Sequence, residues 1–244
     1  MARQKGFMKF TGTIGDINFY IVKGRGYARK AGGGFNAKAI KTAESMQRVR
    51  ENGKEFGHAS KVKKKILEAF QPYVLKGDRS FHGKCVSLFL KLKTLDTSSV
   101  RGERRAGIGI QTAEGNRIFR DFKFSKPHEF ISAIEHNWRF EENSQRLEVS
   151  SFVLHEFDTL SEIAAVRVSL FLVDFNFEGP IYEKRLLDQK TIDLQEVMTS
   201  FALFPPVILP VVHTPIYYVG LEFLDHRQGG VGSGMRVVFG GVRG

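Results

Sequence analysis

The chain of 244 residues has a single cysteine, Cys85. An internal disulfide is therefore impossible, which is the pattern of a reducing compartment and of a chain large enough to build its own core. Long apolar runs are also missing. The longest, Phe201 to Val212, is interrupted by Pro205, Pro206 and Pro210, which makes it too short and too broken for a spanning helix. The opening MARQKGFMKFTG is basic but has no apolar stretch after it, unlike a secretory signal. These absences lead us to expect no membrane partner, no export by a classical signal peptide, and a location in the cytoplasm or in a virion-like particle.

Signatures of catalysis are scarce too. The seven histidines, His58, His82, His128, His136, His155, His213 and His226, include no i, i+4 pair. Neither His128-Glu129 nor His155-Glu156 continues to the second histidine of a zinc-protease motif. Ser233 in Gly232-Ser233-Gly234 lacks the spacing of a nucleophile elbow, and Gly32-Gly33-Gly34 lacks the Gly-Lys-Ser/Thr ending of a phosphate-binding loop. Glu141 with Glu142, or Asp174 with Glu178, could face one another in a glycosidase-like cleft, but such pairs are recognised by their separation in space. The expectation is a protein that is not an enzyme, with no catalytic residue, no metal and no cofactor.

Positive charge, by contrast, is in excess and unevenly placed. The net charge is +11. Residues 1–110 hold 24 Lys and Arg against 8 Asp and Glu, or +16, whereas residues 111–244 hold 13 against 18, or −5. Such asymmetry suits a polyanion, or an acidic face of a neighbouring copy, as the partner of the N-terminal part. The plain alternative is a solvated basic face.

Hydrophobic periodicity divides the chain into three regions. Residues 1–36 read as a β-meander or arm: Phe7, Lys9 and Thr11 alternate around Met8 and Phe10, and Ile17, Phe19 and Ile21 alternate with Asn18, Tyr20 and Val22. Gly12 and Gly15 mark the first connection, Lys23-Gly24-Arg25-Gly26 the second, and the Gly32–Gly34 triplet a joint. Residues 37–96 read as helical and basic. Ile40, Ala43, Met46 and Val49 form one apolar stripe, and Phe56, Ala59, Val62, Ile66 and Phe70 form another, with Gly53 between and Pro72 as a stop. Arg48, Arg50, Lys54, Lys61, Lys63, Lys64 and Lys65 lie off these stripes. They are the candidate nucleic-acid-binding residues, suited to a phosphate backbone and, lacking interleaved aromatic residues, without sequence preference. Cys85, with Leu88, Phe89 and Leu92, reads as a small buried hydrophobe.

Residues 97–244 read as a β-sandwich or jelly-roll-like domain, so that the whole chain is expected to be mainly β with some α. Candidate strands are Ile108 and Ile110, Ile118 to Phe124, Trp138 to Glu141, Leu147 to Leu154, Ala164 to Phe177, Ile181 to Leu186, Ile216 to Leu224 and Met235 to Val242. Around Val166 to Val173 the alternation suits one face in a core and the other partly covered. Two short helices are expected, Pro127 to His136 and Asp193 to Phe201. The 22 phenylalanines suit core filling.

Gly12-Thr13-Ile14-Gly15-Asp16-Ile17-Asn18-Phe19-Tyr20, followed by Gln47-Arg48-Val49-Arg50-Glu51-Asn52-Gly53 and Glu55-Phe56-Gly57, resembles the N-terminal signature of a group of uncharacterised bacterial proteins. In that group a GTIGD-x-x-FY segment precedes a QR-x-R helix and a divergent β-rich half. The resemblance covers about the first 75 residues of this chain. It implies a recurring protein associated with phage or mobile elements and supplies no catalytic residue. The functional expectation is thus a self-assembling shell, tail or filament subunit, associating head-to-tail with copies of itself, with a basic N-terminal region. The alternatives are an intracellular protein that binds DNA or RNA without sequence specificity, and a carbohydrate- or protein-binding β-sandwich.

Overall fold

A computed structural model describes residues 2–32, 37–75, 77–126, 137–150, 163–193, 200–227 and 229–240. The fold is mixed α/β, with 37% strand in three antiparallel sheets and 31% helix. It is therefore richer in helix than a mainly β chain. Two compact units are present, Met1–Lys54 and Glu55–Gly244, and the division falls inside the helical region expected at 37–96.

The first unit is a four-stranded antiparallel sheet in the order β1-β4-β3-β2, made of β1 (Ala2–Arg3), β2 (Gly12–Ile14), β3 (Ile17–Val22) and β4 (Arg25–Lys30). A two-residue turn joins β3 to β4, with Lys23 at φ 48° and Gly24 at φ 73°. Two positive φ values in succession give a backbone twist that matches the twist of the strands. The turn thereby sets the register: Val22 opposite Arg25, Tyr20 opposite Tyr27, Asn18 opposite Arg29. Residues 7–11, expected as the first strand, form none, and Gly12 begins a strand instead of a connection. The side chain of Gln4 accounts for this. Its Oε1 accepts the Phe10 N–H at 2.8 Å and its amide donates to the carbonyls of Phe10 and Tyr27, so side-chain bonds occupy backbone groups that a ladder would use. The unit continues with α1 (Ala37–Thr42), a single 3-10 turn (Glu44–Met46) and the start of α2 (Gln47–Ala69).

In the second unit the rest of α2 is joined by α3 (Arg79–Thr94), α4 (Ala106–Ile110) and α5 (Ala113–Asp121). Gly53 does not interrupt α2. Each glycine in the middle of a helix costs about 1 kcal/mol relative to alanine, and the buried stripe Ala59, Val62, Ile66 and Ala69 outweighs that at about 1.5–3 kcal/mol per large apolar side chain. Phe56, placed on this stripe by its spacing, is 50% exposed; the buried position is its neighbour Glu55. Ile108, Ile110 and residues 118–121, expected in strands, are helical in α4 and α5. Thr112 caps α5 by accepting the Gly115 N–H at 3.0 Å. Alternating glycines imitate a strand in sequence, but here they allow close approach: a Cβ on Gly109 would stand 1.8 Å from the Leu92 carbonyl oxygen.

Two further sheets complete this unit. One has the order β11-β10-β7-β8, from β7 (Ala165–Asn176), β8 (Ile181–Asp193), β10 (Thr214–Leu224) and β11 (Gly230–Gly240); the other, β5-β6-β9, is made of β5 (Trp138–Glu141), β6 (Arg146–Ser150) and β9 (Ser200–Leu203). Alternate residues of β7 and β10 enter different cores. Val173, Phe175, Ile216 and Tyr218 pack with Ile66, Phe70, Phe89 and Phe119 of the helices. Val166, Val168, Leu170, Tyr217 and Val219 pack with Leu147, Val149, Phe201 and Leu203 of the smaller sheet. Both faces are therefore buried in cores, where sequence alternation suggested one face in a core and the other partly covered. Of the helix expected at Asp193 to Phe201, Asp193 ends β8 and Phe201 lies in β9, and residues 194–199 lie outside the described residues. So do the helix expected at Pro127 to His136, residues 151–154 of the expected strand, and Gly33 and Gly34.

Candidate functional site

The N-terminal sheet presents two chemically different faces. Side chains alternate along a strand, so Asn18, Tyr20 and Val22 share one face of β3, while Ile17, Phe19 and Ile21 share the other. Through the register the first face also receives Arg3, Thr13, Arg25, Tyr27 and Arg29. The second receives Ile14, Ala28 and Lys30, and the Phe10 ring meets Phe19 edge-on with centroids 6.2 Å apart.

Among the described residues of this unit only Gly26 is buried. Phe7 is 98% exposed, Ile14 68%, Met8 61% and Phe10 54%, with Ile17 and Ile21 close to half. Among the described residues the sheet has no core of its own. A ribbon of short strands needs an apolar face covered to be stable, and a contiguous exposed apolar surface marks an interaction site. On the opposite face the Tyr20 and Tyr27 rings stack at 5.8 Å with 24° between their planes, and the Arg29 guanidinium lies 5.6 Å from the centre of the Tyr20 ring. This pair was missed in the sequence because the second turn was read as spanning Lys23 to Gly26. A two-residue Lys23-Gly24 turn is the signal that would have paired the tyrosines.

The seven expected cationic residues divide between the two units, three in the first and four in the second. Arg48 and Lys54 are exposed in the first unit. Arg50 is exposed as well, but its Nη1 donates to the Ile40 and Ala43 carbonyls, both at 2.8 Å, and so ties down the end of α1. In the second unit, Lys61 and Lys64 are exposed and, at 3.6 residues per turn, stand opposite the buried stripe of α2. Lys65 pairs with Glu68 at 2.9 Å, and Lys63 is half-buried on the other flank.

Several acidic groups of the second unit are engaged by neighbouring cations and backbone N–H groups. Glu55 is wholly buried: Arg104 Nε donates to its Oε1 at 2.8 Å and Arg104 Nη2 to its Oε2 at 2.9 Å, with the Gly102 N–H at 2.8 Å and the Lys93 ammonium completing the shell. Burial alone would raise its pKa, but the bonds from Arg104, Lys93 and Gly102 overcome that and lower it to about 2. Asp96 is buried and accepts the N–H groups of Ser98, Ser99 and Arg105, which likewise overcome desolvation and hold it at about 2. Asp174 accepts the N–H groups of Val212 and His213, each at 2.8 Å, so its oxygens are engaged by backbone, and Glu178 lies 3.6 Å from Arg105.

A cleft of about 330 Å³ is lined by Gly107, Gln111, Asn176, Glu178, His213 and Thr214, among others. His58, whose Nε2 lies 2.9 Å from the Phe177 carbonyl oxygen, has its pKa lowered by burial and by the nearby charge of Arg105. Among the described residues no group of three His, Cys, Asp or Glu is placed to hold a metal ion, and no helix is long and apolar enough to cross a membrane. Compared with protein-family models, with curated proteins and with solved structures, the chain matches none of them.

Proposed function

We propose that this chain is a non-enzymatic assembly subunit, whose N-terminal sheet docks its apolar face onto the C-terminal unit of a second copy. The observation that carries this reading is the apolar face of the sheet: Phe10, Ile14, Ile17 and Ile21 share a face that the described residues of the same unit leave exposed. A matching surface is the segment between β9 and β10, where Phe204 is 45% exposed, Val207 71%, Ile208 59% and Val212 73%. That segment is held in shape before any partner arrives. Gln145 donates to the Leu209 carbonyl at 2.8 Å and accepts its N–H at 2.9 Å, and Asp174 accepts the Val212 N–H. Preorganisation lowers the entropy lost on association.

Residues 1–54 carry a net charge of +9 and residues 55–244 one of +2, so a sheet meets less like charge on the second unit of another copy than on another N-terminal sheet. Head-to-tail contacts close into rings or continue into filaments, as a shell, tail or filament subunit requires. The core shared by the two C-terminal sheets supports reading them as a sandwich, and a jelly-roll winding belongs to this proposal. A phage or mobile-element setting rests on the N-terminal resemblance alone.

Sedimentation velocity on the full chain tests the reading. Ile14→Asp with Ile17→Asp in one variant, and Val207→Asp with Ile208→Asp in another, should each give monomers, because all four side chains are exposed and their loss disturbs no core. An equimolar mixture should form a 1:1 dimer and nothing larger, since each variant keeps one intact surface. A wild-type chain that stays monomeric at high concentration, or variants that assemble as the wild type does, would show the reading to be wrong.

A further inference from the structure

We propose that the Tyr20/Tyr27 face of the N-terminal sheet binds single-stranded nucleic acid, with the two rings as a platform for bases and Arg3, Arg25 and Arg29 as phosphate contacts. The proposal is independent of the assembly reading, because it uses the opposite face of the sheet.

Three observations lead to it. The rings sit directly opposite one another on β3 and β4 and stack within 24° of parallel, so together they offer a wider aromatic surface than either alone. On the same face Arg25 and Arg29 stand two residues to either side of Tyr27, about 7 Å along the strand in each direction, and Arg3 pairs across from Tyr27 on β1. Positive charge prevails: residues 1–54 hold 12 Lys and Arg against Asp16, Glu44 and Glu51, and Asp16 lies in the turn between β2 and β3 while the two glutamates lie beyond the sheet.

Aromatic rings with flanking cations on an open sheet suit bases that are unstacked and splayed out, with phosphates alongside. A duplex keeps its bases inside and offers such a surface only its backbone. The basic side of α2 differs in kind, since Lys61 and Lys64 are exposed cations there and contribute charge, with no ring pair such as Tyr20 and Tyr27 described beside them. Stacking accepts every base, so the expected binding is tolerant of sequence.

Fluorescence anisotropy of the full chain with a labelled oligothymidylate, and with a duplex of equal length, decides the matter. The single strand should bind at least tenfold tighter than the duplex. Tyr20→Leu with Tyr27→Leu should weaken it by at least tenfold, whereas Tyr20→Phe with Tyr27→Phe, which keeps both rings, should stay within about threefold of the wild type. Changing Arg3, Arg25 and Arg29 to Gln leaves the rings in place and should lower the log-log salt slope by about 2, at about 0.7 per phosphate contact on a single strand. Changing Lys61 and Lys64 to Gln should leave the loss caused by the leucine pair unchanged. Equal affinity for duplex, a phenylalanine pair as weak as the leucine pair, or a salt slope indifferent to the three arginines would each overturn the proposal.

Discussion

Replacing Glu55 by Gln should cost the protein most of a buried ion cluster. The carboxylate has no exposed surface and receives two bonds from Arg104, one from the Gly102 N–H and one from Lys93. Its pKa in the folded chain is about 2 against an ordinary 4.5. At 1.36 kcal/mol per unit, the ionised form contributes about 3 kcal/mol at neutral pH. Because the folded pKa is the lower one, this contribution is fully present above about pH 4.5 and is lost as the pH falls towards 2. At pH 3 about 1.4 kcal/mol remains. Glu55→Gln removes it at every pH and leaves Lys93 and Arg104 facing a neutral amide. Their side chains are 12% and 26% exposed, so partial access to water relieves them, and the loss at pH 7 should be about 2–4 kcal/mol, not more. Urea unfolding of wild type and variant at pH 7 and pH 3 reads both numbers, and the gap between the two proteins should shrink by about half or more at the lower pH. A variant within 0.5 kcal/mol of wild type at pH 7, taking about 0.5 kcal/mol as the size of an ordinary surface change, would refute the reasoning. So would a gap that does not change with pH.

Two more outcomes follow from the cores. Gly220→Ala in β10 should destabilise by about 1–3 kcal/mol, because a Cβ there would lie 2.6–2.9 Å from atoms of the Tyr73 ring, which is itself packed against Phe171 and Tyr218; a denaturation midpoint equal to wild type would contradict this packing. Cys85 has no exposed surface and burial pushes its thiol up to about 12, so Ellman's reagent should label it only as fast as the chain unfolds, and stoichiometric labelling of the native protein within minutes would show the site to be open.

Much of the C-terminal unit was legible in the sequence. Trp138 to Glu141, Ala164 to Phe177 and Ile216 to Leu224 coincide with β5, β7 and β10 to within a residue or two, and Ala59, Val62, Ile66 and Phe70 are all buried, as their spacing requires. These are short-range signals: a strand or helix facing a core repeats its apolar residues with the period of its own backbone. The same rule misled wherever another cause produced the pattern. Ile108-Gly109-Ile110 alternates like a strand, yet its glycine is there so that α4 can approach the Leu92 carbonyl of α3, a constraint invisible before α3 and α4 are packed together.

Other features are pairings across long stretches of chain. Glu55 takes the buried position that the spacing assigned to Phe56, and its partners Lys93 and Arg104 lie 38 and 49 residues further on. Tyr20 and Tyr27 are only seven residues apart, yet whether they meet depends on which two residues make the turn, since a shift of one position sends every following side chain to the opposite face. The charge asymmetry, and the shortness of the longest apolar run, were fixed by composition and local order alone. Which charges are engaged, which aromatic rings stack and which apolar face is left uncovered were decided by tertiary structure, because each depends on what a distant part of the chain brings alongside.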